Sequence, residues 1–102
     1  MYNFEAVLPQ LGEVCKQWGI TRLTAFGSSL RDDFHSASDV DLIIALPQNS
    51  HVDLFDMVNI KEQFEQVFGR GVDLLTERSL TQMRNPFRKQ SILSLTRNLY
   101  VS

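Results

Sequence analysis

The sequence predicts a mixed α/β (α+β) fold, a small three-stranded sheet flanked by helices in the order αβαβαβαα. Three observations carry this. Two long stretches repeat apolar residues at three and four, three short apolar runs rich in β-branched residues separate them, and Gly or Pro clusters punctuate the joins. At 102 residues, with 43% hydrophobic and 22% charged, the chain is expected to form one globular domain over residues 1–102.

The first helix follows from Phe4, Val7, Leu8, Leu11, Val14, Cys15 and Trp18, a stripe that stops at Gly19, with Pro9 either opening its regular part or kinking it. "ITRLTAF" (20–26) is the first strand, and "GSSLRDDF" can form a short helix whose first turn begins at Ser28. "HSAS" is a loop, "DVDLIIAL" (39–46) the second strand and "PQNS" a turn. Leu54, Met57, Val58, Lys61, Phe64, Val67 and Phe68 trace the second helix, with Lys61 its one polar member, and "GRG" ends it. "VDLLT" is the third strand. The tail is expected to hold two helical pieces divided at Asn85-Pro86, the later one carrying Ile92, Leu95 and Leu99.

Composition excludes several classes. No run approaches the roughly 18 apolar residues of a membrane span, and no basic stretch followed by an apolar one opens the chain. The lone Cys15 cannot form an internal disulfide, which suits a reducing cytoplasm, and its place on the apolar helix face makes it a buried structural thiol. A net charge of −2 does not favour direct nucleic-acid binding. From Arg84 onward, however, the four charged residues (Arg84, Arg88, Lys89, Arg97) are all basic. That segment fits either a phosphate or acidic partner or a solvated helix face. No zinc spacing, Walker loop, dinucleotide glycine pattern or His-containing nucleophile motif is present.

The chemistry concentrates in aspartates that interrupt strands. In "DVDLII", Val40, Leu42 and Ile44 point to one face, and Asp39 and Asp41 to the other. Same-face carboxylates roughly 6.6 Å apart repel by about 2.5 kcal/mol at an effective dielectric near 20. The helical crossover makes the second and third strands parallel, which brings Asp73 of "GVDLL" to the same strand ends. Three such carboxylates are unfavourable alone and favourable around a hard cation such as Mg²⁺. "FGSS" at the end of the first strand adds an anion site: Gly27 permits close backbone approach, and Ser28 offers a hydroxyl and free N–H groups. Both features meet only if the first two strands run antiparallel, which their short connection permits.

Gly27-Ser28, ten residues, then Asp39-Val40-Asp41 resembles the signature of the polymerase-β-like nucleotidyltransferases, and more narrowly the minimal nucleotidyltransferase (MNT) group. Ser38, Arg31 four residues after Gly27, and the later "VDLL" extend the resemblance over nearly the whole chain, while Asp32 stands where the group usually has Gly. The resemblance implies a nucleotidyltransferase fold with ATP as donor and two Mg²⁺ ions held by Asp39 and Asp41. Asp73 would complete the site of the ion that activates the acceptor hydroxyl, or act as base. Gly27 and Ser28 would hold the terminal phosphates. Arg31 fits either this nucleotide site or a surface ion pair. The expected reaction is AMP transfer to a hydroxyl, foremost a tyrosine of a helical HEPN toxin encoded alongside, the chain being the antitoxin of the pair. No residues remain for a dedicated acceptor-binding domain, so the acceptor is expected to dock on the surface, to come as a partner protein or to be held by an oligomer. A hetero- or homo-oligomer is the expected state. The alternatives are a non-catalytic binding antitoxin or subunit and a transferase for a small-molecule hydroxyl such as an aminoglycoside.

Overall fold

The computed structural model describes residues 3–30, 39–82 and 96–102. A 3₁₀ turn (Phe4–Val7) leads into α1 (Leu8–Trp18), followed by β1 (Arg22–Phe26) and a second 3₁₀ turn (Gly27–Leu30). Then come β2 (Val40–Ala45), α2 (Leu54–Phe68), β3 (Val72–Thr76), α3 (Glu77–Thr81) and β4 (Thr96–Val101). Pro9 lies in the first turn of α1, where it costs no hydrogen bond, and Gly19 closes the helix in the left-handed conformation with its N–H donating to the Cys15 carbonyl.

The sheet has four strands in the order β3-β2-β1-β4. As expected, β1 and β2 are antiparallel and β2 and β3 parallel. The fourth strand corrects the three-stranded expectation and the helix assigned to Leu99. β1 is buried on both faces from Leu23 to Phe26, so it is a central strand that needs a neighbour on each side. β4 supplies the second neighbour, pairing antiparallel with β1 from Phe26↔Thr96 to Arg22↔Val101. A register shift between Leu23 and Thr24 interrupts this ladder, so that Asn98 pairs with Thr24 and Tyr100 with Leu23. The residue between them, Leu99, is buried, and the strict alternation that would have marked a strand is lost at that bulge. Ile92, Leu95 and Asn85-Pro86 lie outside the described residues.

One face of the sheet carries the main core. Phe4, Leu11, Val14 and Cys15 pack with Ile60, Phe64 and Phe68 of α2 over Leu23, Ala25, Val40, Leu42, Ile44, Val72 and Leu99. Cys15 is fully buried, and burial pushes its thiol up to about 12, so it is an inert core residue. α2 presents Ile60, Phe64 and Phe68 inward with Met57 and Val67 beside them. The predicted stripe thus holds at Met57, Phe64, Val67 and Phe68 and fails at Leu54, Val58 and Lys61, with Ile60 buried in their place. Leu54 and Phe55 are 84% and 82% exposed, and Lys61 is exposed as well. The opposite face is covered by α3, whose Leu80 packs with Phe26, Ile43 and Leu75. Arg97, the one described member of the basic tail, sits on the core side, its guanidinium 5.8 Å from the Phe4 ring and 3.7 Å from Glu5. No helix among the described residues is long and apolar enough to cross a membrane.

Candidate active site

β2 pairs on both sides, and that double pairing builds the site. Asp41 is the register partner of Phe26 on β1 and of Asp73 on β3. With Phe26 opposite Thr96, the row across the sheet reads Asp73, Asp41, Phe26, Thr96. Side chains at paired positions share a face, and alternation puts this one on the side away from Val40 and Leu42, the α3 side. Asp39 and Gly71 each precede the first paired positions, Val40 and Val72, and the Val40 N–H donates to the Gly71 carbonyl at 3.0 Å. The polypeptide therefore delivers its carboxylates at the starts of two parallel strands, beside the end of an antiparallel third.

Two glycines open the space around them. Gly27, immediately after β1, has φ +75°, and a Cβ there would stand 2.6 Å from Asp41 Oδ2. A side chain at 27 is thus excluded both by backbone conformation and by the carboxylate. A Cβ at Gly71 would stand 2.5 Å from Asp39 Oδ1. The start of β3 is tethered from behind: the Val72 N–H donates to Glu65 Oε2 of α2 at 3.2 Å. Below the row, Phe26, Ile43, Leu75 and Leu80 form an apolar floor.

Asp41 is half-buried, while Asp39 and Asp73 are exposed. Burial, then the Asp73 carboxylate, then that of Asp39 push the Asp41 carboxyl up to about 6. Both neighbours act on Asp41, so the three charges share one locality. They form a row and not a cage: among the described residues, no three His, Cys, Asp or Glu side chains close around one point. The donor set is all carboxylate oxygen, and a missing Cβ leaves room beside two of the three groups. Those features fit a hard divalent cation.

Of the predicted site residues, the structure brings together Asp39, Asp41, Asp73 and Gly27. Ser28 lies in the 3₁₀ turn that Gly27 opens. Arg31, Asp32 and Ser38 lie outside the described residues. Sequence reading missed Gly71 and Glu65. Gly71 had a signal: aligning "DVDLI" on β2 with "GVDLL" on β3 sets it opposite Asp39. Glu65 had none, being one of several acids on an amphipathic helix.

A family model described as a nucleotidyltransferase domain matches residues 10–98. A Methanocaldococcus jannaschii protein named "Putative protein adenylyltransferase" is 28% identical over 92 residues, which cover 90% of this chain and 92% of that one. A solved structure described as a "putative minimal nucleotidyltransferase" superposes with a TM-score of 0.67 at 25% identity, covering 94% of this chain and 95% of the other. A Shewanella oneidensis complex of a tri-AMPylated HEPN toxin with its MNT antitoxin contains a chain of the same fold. Its TM-score is 0.67 at 13% identity, covering 98% of this chain and 74% of that one.

Proposed function

The chain belongs to the nucleotidyltransferase domain family, and on that premise we propose that it transfers AMP from ATP to a hydroxyl of a partner protein, the hydroxyl oxygen bonding to the α-phosphorus as pyrophosphate leaves. The observation that carries the proposal is Asp41 abreast of Asp73 with the Gly27 turn against its carboxylate. Asp39 and Asp41 supply oxygen ligands for two Mg²⁺ ions. Gly27 and Ser28 receive the terminal phosphates, the absent Cβ at 27 letting them approach Asp41, and Arg31 joins them as a nucleotide contact. Bound divalent ions supply charge stabilisation for the attacking and leaving oxygens at the α-phosphorus. Asp73 is the exposed end of the row, where an acceptor hydroxyl arriving from solvent meets a carboxylate that can ligate or take its proton.

The acceptor we infer is a tyrosine of a HEPN-type helical toxin, with this chain as antitoxin. The protein adenylyltransferase name of the M. jannaschii relative and the AMPylated toxin in the S. oneidensis complex support that reading. A large acceptor also suits an open row on a strand end. Neutralisation by contact alone is the second reading, favoured by the exposed apolar ridge of Leu54, Phe55 and Val58 on α2.

The purified pair, Mg²⁺ and ATP labelled in the α-phosphate separate the two. Covalent label on the partner with wild type, lost by at least about a hundredfold with Asp41→Asn, is the expected outcome. Inhibition of the partner without label would establish the contact mechanism in its place.

A further inference from the structure

We propose that Gly71 is a positioning residue for Asp39: the missing side chain leaves a notch at the start of β3 into which the Asp39 carboxylate leans, on the strand face that carries Asp73. This rests on the assignment of Asp39 as a divalent-ion ligand.

The geometry is specific. Asp39 and Gly71 precede neighbouring parallel positions, so a side chain at 71 would rise on the same face as Asp39 and, two residues on, Asp73. Asp39 Oδ1 lies 2.5 Å from where a Cβ at 71 would be, and Asp39 Cγ 3.2 Å from it, well inside van der Waals contact. A methyl group there and the present Asp39 conformer cannot coexist. What would give way is the end of a side chain and not backbone: the three atoms nearest that Cβ all belong to the Asp39 carboxylate. Nor does Gly71 have the positive φ of Gly19, Gly27 and Gly69, so its conformation is open to alanine. The notch is held in place by the Val40–Gly71 and Val72–Glu65 hydrogen bonds on either side.

Gly71→Ala therefore separates two properties that most site substitutions confound. Folding should be unimpaired or improved, because alanine restricts the unfolded chain. The Asp39 carboxylate should be turned out of its place and divalent-ion binding weakened. The probe is the Mn²⁺ complex of a non-hydrolysable ATP analogue, titrated with protein and followed by water-proton relaxation. Gly71→Ala should weaken binding about tenfold or more, as loss of a supporting contact to a metal ligand does. Its thermal midpoint should equal or exceed that of wild type.

If Gly71 acts through Asp39, the effect must disappear when Asp39 no longer ligates. In an Asp39→Asn background, Gly71→Ala should change the affinity by less than about twofold. Wild-type affinity in Gly71→Ala, or a full undiminished loss in the Asp39→Asn background, would overturn the proposal. Should wild type and Asp41→Asn bind the Mn²⁺ complex alike, the assignment of the carboxylates fails first, and this inference with it.

Discussion

Asp41 is costly to the fold and central to the proposed chemistry, and the two roles can be measured apart. Its folded-state carboxyl is raised from the ordinary 3.8 to about 6 by burial and two like charges. A carboxyl raised in this way helps folding only when protonated, and that help is lost as the pH rises through the folded value. Above about pH 7 the ionised group costs on the order of 1–2 kcal/mol, one pKa unit being about 1.4 kcal/mol and solvent screening reducing the effect at this half-buried position. Asp41→Asn should therefore raise the urea midpoint at about pH 8 without divalent ions, and the gain should shrink to less than half by about pH 4.5. The same gain at both pH values would remove charge repulsion as its cause. A variant both more stable and unable to transfer AMP would mark a residue retained for chemistry and not for structure.

At the scale of the element, α2 shows where helical periodicity decides and where it does not. Apolar residues occupy 54, 55, 57, 58, 60, 64, 67 and 68, so two frames overlap. The frame through Leu54 and Val58 would bury Lys61, and the frame through Ile60, Phe64 and Phe68 does not. Lys61, the polar member of the predicted stripe, was the clue that its N-terminal half was misplaced, while Met57, Phe64, Val67 and Phe68 face the core as expected. The ends were more legible: Asp53 and Asp56 form a reciprocal capping box, and Gly69 closes the helix in the left-handed conformation. Phe64 is fully buried and Phe55 is almost fully exposed. Phe64→Ala should cost about 3–5 kcal/mol in urea denaturation, whereas Phe55→Ser should stay within about 0.5 kcal/mol. A reversed order would contradict the burial of Phe64 and the exposure of Phe55.

For the whole molecule, the sheet depends on a strand that the sequence hides. The β1–β2–β3 core, its strand directions and the meeting of Asp41, Asp73 and Gly27 were legible, because alternation and connection length constrain them directly. β4 was not, because its bulge sets Leu99 and Tyr100 out of alternation, and Leu99 falls at helical spacing from Leu95. Whether it folds as strand or helix is decided by β1, which offers a second edge that only a partner from elsewhere in the chain can cover. Removing residues 96–102 would uncover Leu23 to Phe26 along that edge and strip Leu99 from the core. The truncated chain should lose cooperative unfolding by circular dichroism, since a few kcal/mol is a large share of the stability of a domain this small. A sharp, wild-type-like transition would show β4 to be dispensable.

The parallel ladder between β2 and β3 has a temporal consequence. Asp41 and Asp73 face one another only after the α2 crossover has docked, a longer loop closure than the antiparallel β1–β2 pairing requires. A nascent chain that has joined β1 to β2 but has not threaded the crossover back is spared the Asp73 repulsion and is chemically incompetent. Turnover cannot begin before that closure, so the appearance of activity during refolding times the docking of the crossover.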